Sequence, residues 1–238
     1  MDLKLTGKTA LITGSTAGIG FGIARRLLQE GASVIINGRT EARITSALNQ
    51  LNQAIPDCTV KGCVADFADA AAVQRLINVH DAVDILINNA KADFGKRFEQ
   101  VSESEFDTLI DFNLKSMFLT CQSVGHTMLK NKKGHIVNMT SDLAVRGLWN
   151  SVIPCASEGA IHQLTSSLAL EWGRDGIRVN GIGAGWLTTQ NKSDAAEPDL
   201  LDRYLPSKRK GHPNDLTQML VYLSSDSCDF VNGQTIFI

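Results

Sequence analysis

TALITGSTAGIG, residues Thr9 to Gly20, decides the fold. An apolar run, Thr9–Thr13, meets Gly14, Gly18 and Gly20 in quick succession, and GIGFGIARRLLQEG then continues with helical spacing. A strand, a glycine turn and a helix in that order need a backbone that turns tightly and a helix that packs close to its strand. The first turn of such a helix aims unpaired N–H groups outward, which suits an anion. Gly14, Ser15, Gly18, Ile19 and Gly20 are therefore the candidate phosphate cradle. Glycines alone carry little weight; the strand before them and the helix after them supply it. A glycine-rich turn of purely structural use is the competing reading.

Outward from that turn the same alternation runs to the end of the chain. Further short runs rich in Val and Ile follow at Ser33–Asn37, Thr59–Ala65, Asp84–Asn88, His135–Met139, Arg178–Ile182 and Gln234–Ile238. The most regular are apolar on both faces, as strands of a parallel sheet covered on both sides must be. Helical spacing fills the gaps in EARITSALNQLNQ, DAAAVQRLINVH and SEFDTLIDFNLKSMFLTCQSVGHTMLKN. A βαβ order of this kind predicts right-handed crossovers and a doubly wound α/β sheet. Residues 188–213 break the pattern with QNKSDAAEPD and LPSKRKGHP and read as a long loop of the sort that covers a binding site.

Bulk properties narrow the function. With 238 residues, 43% of them hydrophobic, the chain can bury one sizeable core, so residues 1–238 are expected to form one domain. A net charge of −2 gives no support to a nucleic-acid or anionic-membrane partner. The N-terminus MDLKLTGKTA lacks an apolar signal core, and no run is long enough to span a bilayer. Five cysteines without paired spacing fit reduced thiols and a cytoplasmic setting, and Cys58 with Cys63 lacks a second ligand pair for zinc.

Gly-x-x-x-Gly-x-Gly departs from the common dinucleotide spacing and resembles the short-chain dehydrogenase/reductase family. So do DILINNA, DFNLKS, HIVNMTS, ASEGAIHQLTSSLALE, IRVNGIGAGWLTT and GHPNDLTQMLVYLSSD before NGQ, in order along nearly the whole chain. The resemblance implies a single-domain Rossmann fold, a seven-stranded mostly parallel sheet with helices on both faces, and a nicotinamide dinucleotide cofactor. It also implies a homo-oligomer, dimer or tetramer, or a partner for an active relative, and a small carbonyl or alcohol ligand. At the end of the second strand, where a carboxylate would favour NAD, stand Gly38 and Arg39. A guanidinium matches a 2′-phosphate, which favours NADP(H) over NAD(H), although Arg39 can equally be read as a solvated surface cation. The resemblance adds Asp66 and Phe67 at the adenine, Asn89 and Ala90 beside the cofactor, and Thr189 at the carboxamide. A glycine normally follows the Asn-Asn-Ala motif; here it is Lys91.

The catalytic pattern is where the chain departs furthest. In the family a tyrosine donates the proton that completes carbonyl reduction, and a lysine one helical turn on lowers its pKa and holds the nicotinamide ribose. A serine and an asparagine complete the set. Asn113 matches the asparagine and Ser141 the serine. At the tyrosine and lysine places stand Pro154 and Glu158, and the remaining tyrosines, Tyr204 and Tyr222, fall elsewhere. Pro154 has no proton to give, and its ring suits the first turn of a helix. Glu158 reverses the charge, yet it can accept hydrogen bonds from ribose hydroxyls and so also counts as a cofactor-binding candidate. Lys91 and Glu158 are expected to form a salt bridge across the cleft. Cys155 reads as structural, and His162, four residues after Glu158, as its neighbour or as a core histidine. Four functions remain open: an NADP(H)-binding pseudoenzyme, a reductase with an atypical proton donor, a lyase or isomerase using Glu158 as base, and a purely structural or interaction protein.

Overall fold

The computed structural model describes residue 3, residues 5–66, 83–187 and 205–238. Among them seven strands form one sheet in the order β3-β2-β1-β4-β5-β6-β7. They are β1 Thr9–Ile12, β2 Ser33–Gly38, β3 Val60–Val64, β4 Ile85–Asn88, β5 Gly134–Ser141, β6 Ile177–Ala184 and β7 Thr235–Phe237. Every pairing is parallel, including the last one at β7, so "mostly parallel" becomes wholly parallel.

Strand alternation sorts the core into two faces. Ala10, Ile12, Ile36, Ile87 and Val137 point to one side, where they meet α1 (Gly18–Gln29), α2 (Glu41–Ala54) and α6 (Pro213–Leu223). Leu11, Ile35, Leu86, Ile136 and Val179 point to the other, against α4 (Ser116–Asn131) and α5 (Val152–Trp172). Each fully buried Leu or Ile contributes about 1.5–3 kcal/mol, so this two-sided burial is what fixes the register. The strand order reverses between β1 and β4, which opens a crevice at their carboxyl ends. The glycine turn leaves β1 there, beside Asn89 and Ala90 leaving β4.

The long helical stretch expected across Ser104–Asn131 is divided. Helix α3 (Glu103–Ile110), capped by Ser102 and Glu105, runs into a π turn at Asp111–Lys115 before α4 begins. A π turn inserts an extra residue into the helical ladder and so re-aims one side chain. Here that side chain is Asn113, which is buried and bonded to the Ala92 backbone in both directions. The stretch DAAAVQRLINVH and most of the loop read at 188–213 lie outside the described residues.

Candidate functional site

The glycine turn is held from beneath by Asn37. Its side-chain oxygen accepts from the Gly14 N–H at 3.0 Å, and its amide donates to the Cys63 and Ala65 carbonyls. Gly14 and Gly18 both adopt φ near +60°, a conformation that glycine enters without a steric penalty. A Cβ on Gly14 would stand 2.9 Å from Ala90 Cα, and one on Gly20 would stand 2.5 Å from the Asn89 amide. Asn89 in turn donates to the Thr13 and Gly14 carbonyls, locking the ends of β1 and β4 together.

Ser15 faces inward. Its hydroxyl donates to the Ile12 carbonyl and accepts from the Asn37 N–H, while its own N–H goes to the Asn37 carbonyl. It shapes the turn and presents neither group to the cleft. Helix α1 has no side-chain cap and no acidic residue in its first turn, so the N–H groups around Gly18–Gly20 stay available to an anion.

A cleft of about 540 Å³ opens over this turn, lined among others by Gly14, Thr16, Gly38, Arg39, Arg43 and Lys91. Arg39 and Arg43 supply two guanidiniums at the β2 end, and among the described residues neither forms a salt bridge. A Cβ on Gly38 would meet Thr16 Cγ2 at 2.6 Å, so a carboxylate-bearing residue is excluded there unless Thr16 moves. Asn89 and Ala90 also line the cleft; Asp66 is exposed just beyond Ala65, which lines it. Phe67 and Thr189 lie outside the described residues.

At the other end of the crevice the expected salt bridge is present. Lys91 Nζ stands 2.9 Å from Glu158 Oε1, and the Thr140 hydroxyl donates to Oε2 at 2.8 Å. Glu158 is buried in the second turn of α5, and Pro154 is buried in the first, where its missing N–H would have had no helical partner in any case. Ser141 bonds to Asp142 and caps the short turn Asp142–Ala144. Asn113 spends its amide on both backbone groups of Ala92, so it fixes the segment that carries Lys91. His162 turns away from Glu158: its Nδ1 lies 2.9 Å from Thr235 Oγ1 and its ring packs near Phe237. Tyr222 lies in α6, and Tyr204 falls outside the described residues. No cluster of potential metal ligands forms among the described residues.

This geometry meets a broad set of similar proteins. A family model described as enoyl-(acyl carrier protein) reductase matches residues 14–238. The 3α-hydroxysteroid dehydrogenase of Mediterraneibacter gnavus is 32% identical over 246 residues, covering 100% of this chain and 98% of the relative. The chain belongs to the short-chain dehydrogenase/reductase family. Gluconate 5-dehydrogenase of Gluconobacter oxydans, another member, is 33% identical and aligned over 99% of this chain and 94% of its own. The gluconate 5-dehydrogenase of Burkholderia cenocepacia, solved with NADP and tartrate, superposes with a TM-score of 0.91 at 32% identity. That superposition spans 100% of this chain and 95% of the relative.

Within the short-chain dehydrogenase/reductase frame, several residues escaped sequence reasoning. Asn37 reads as a strand terminus, and its hold on Gly14 exists only once β2 lies beside β1. Arg43 stands four residues after Arg39 at helical spacing, which was a legible cue. Thr140 carried no cue, because only the fold brings it under Glu158. The same holds for the buried network in which Asn88 donates to Asn138 and Asn138 donates to Thr165, tying β4, β5 and α5 together. Cys121 touches that network, and burial pushes its thiol up to about 12, which removes it as a nucleophile.

Proposed function

We propose that this chain is an NADP(H)-binding member of its family that reduces carbonyl substrates slowly or not at all, and that it serves as a nucleotide sensor or as a partner subunit for an active relative. The observation that carries the reading is the Lys91–Glu158–Thr140 arrangement, a closed salt bridge where the family pattern would need a proton donor and its lysine. In that reading Pro154 and Glu158 replace the tyrosine and the lysine, while Asn113 and Ser141 are retained. Residues 1–238 act as one nucleotide-binding domain, with the 188–213 region beside the ligand.

The cradle suits the cofactor on its own terms. Gly14, Gly18, Ile19 and Gly20 offer backbone to a pyrophosphate, and Arg39 suits a 2′-phosphate beside Gly38, where any larger side chain would have to displace Thr16. When bound, NADPH supplies a hydride. The hydroxyls of Ser141 and Thr140, next to the places of the replaced tyrosine and lysine, are already engaged. Losing a positioned general acid lowers the rate by about 10²- to 10⁴-fold. A base role for Glu158 fares worse, since both carboxylate oxygens already accept hydrogen bonds.

Calorimetric titration with NADPH and NADH, followed by turnover with a panel of ketones, tests the proposal. Binding of NADPH with slow oxidation or none is the expected result. Brisk oxidation by the unaltered protein would reject it.

A further inference from the structure

Two separate cavities occupy the carboxyl end of the sheet. One is the cleft of about 540 Å³ over the glycine turn. The other, about 470 Å³, lies beyond β6 and is lined by residues such as Asp142, Gly185, Trp186 and Phe237. No described residue lines both. Between them runs a continuous chain of contacts. Lys91 borders the first cleft and reaches Glu158, Glu158 accepts from Thr140, and Thr140 leads through Ser141 to Asp142 at the edge of the second.

From this partition, and resting on the nucleotide reading above, we infer that the cleft recognises 2′-phosphorylated adenosine nucleotides as a class and gains nothing from a nicotinamide riboside attached to them. The groups that suit phosphates line the first cleft; Arg209, which lines the second, is paired with Asp215. Arg39 and Arg43 carry two fixed positive charges, and the uncapped start of α1 adds a partial one. A phosphate on the 2′ oxygen and a phosphate on the 5′ side satisfy both.

Among the described residues, the polar side chains that form the partition itself, Lys91, Glu158, Thr140 and Ser141, are already committed to one another or to Asp142. Glu158 accepts from Lys91 and from Thr140, and its side chain is only 6% exposed. A ribose hydroxyl must displace Lys91 from a buried carboxylate, exchanging a charge-assisted bond for a neutral one. That exchange yields no net affinity. Asn113 makes it harder still, because it clamps Ala92 and so holds Lys91 in place.

The experiment compares adenosine 2′,5′-bisphosphate with NADPH by calorimetry on the full chain. Dissociation constants equal within about threefold are expected, and NADPH binding tighter by about tenfold or more overturns the inference while leaving the nucleotide reading intact. Failure of both ligands to bind overturns the nucleotide reading itself, and the inference with it. Saturation-transfer NMR on bound NADPH gives an answer that needs no variant: adenine protons should receive magnetisation and nicotinamide protons should not. Equal transfer to both ends would refute it. In Lys91→Gly/Glu158→Gln the partition opens while the cleft loses one lining cation, so NADPH should gain about tenfold relative to the bisphosphate, over any shift the two ligands share. Parallel shifts for both ligands count against the partition.

Discussion

Lys91 and Glu158 share one ion pair unequally: the lysine side chain is 35% exposed and the glutamate 6%. The burden of burial therefore falls on the carboxylate. Lys91→Ala leaves that carboxylate with a single hydroxyl donor, Thr140, and is expected to destabilise the protein by about 2–3 kcal/mol, less than a fully buried pair because the lysine reaches water. Glu158→Gln keeps an oxygen for Thr140 and frees Lys91 to swing outward, for a loss of about 1 kcal/mol. Urea denaturation of both variants measures the difference. Equal losses would contradict the asymmetry.

The same pair sets the terms for restoring chemistry. Pro154→Tyr with Glu158→Lys would bring two ammonium groups to the place where one salt bridge now stands, since Lys91 lies 2.9 Å from the residue being replaced. Like charges at that separation disfavour both the fold and the charged lysine. The double variant is expected to stay inactive. Adding Lys91→Gly removes the conflict, and ketone reduction should rise at least about tenfold over the unaltered protein, part of the roughly 10²- to 10⁴-fold that a general acid provides. Steady-state NADPH oxidation distinguishes the triple variant from the double.

What the sequence made legible follows from locality. Strand alternation, the glycine turn, the added cation at Lys91 and the reversed charge at Glu158 are each patterns that one stretch of chain carries by itself, and each appears in the structure. The π turn at Asp111–Lys115 does not, because a helical periodicity reads through an inserted residue unless its partner is known. That partner is the Ala92 backbone, distant in sequence. Thr140 and Asn37 were missed for the same reason: their roles exist only once strands are side by side. Ser15 was placed in the cradle by its position in the motif, and its hydroxyl instead serves the turn from within.

Nucleotide preference should respond to the two guanidiniums. A charge-assisted hydrogen bond contributes about 1.5–3 kcal/mol, so Arg39→Ala is expected to weaken NADPH binding by roughly 10- to 100-fold. NADH binding should hardly change, since it lacks the 2′-phosphate. Arg43→Ala should act in the same direction with a smaller effect, and Gly38→Asp should weaken both nucleotides, because its Cβ meets Thr16 at 2.6 Å. Titrations at two salt concentrations provide the check: the Arg39 contribution must shrink at high salt.

Acid stability should be governed by Asp226, far from the cleft. Burial favours its neutral form, but hydrogen bonds from Lys133 and Lys8 outweigh that and hold the carboxyl at about 2. The native state therefore keeps Asp226 ionised at pH values where the unfolded chain has taken up a proton. Its contribution is present in full above the ordinary carboxylate range and is lost as pH falls from about 4 through about 2, amounting to about 2 kcal/mol. His135, which shares Asp226 at 3.3 Å, adds an earlier step. Burial lowers its pKa, with Asp226 opposing, so the native state resists protonating it and stability already declines as pH drops below the usual imidazole value of about 6.5. Asp226→Asn should flatten the lower limb between about pH 4 and 2 and lower the neutral-pH melting temperature by about 4–8 °C. Thermal melts across pH 2–8 read both limbs, at roughly half-unit steps. An unaltered lower limb in Asp226→Asn would show that some other carboxylate governs acid unfolding.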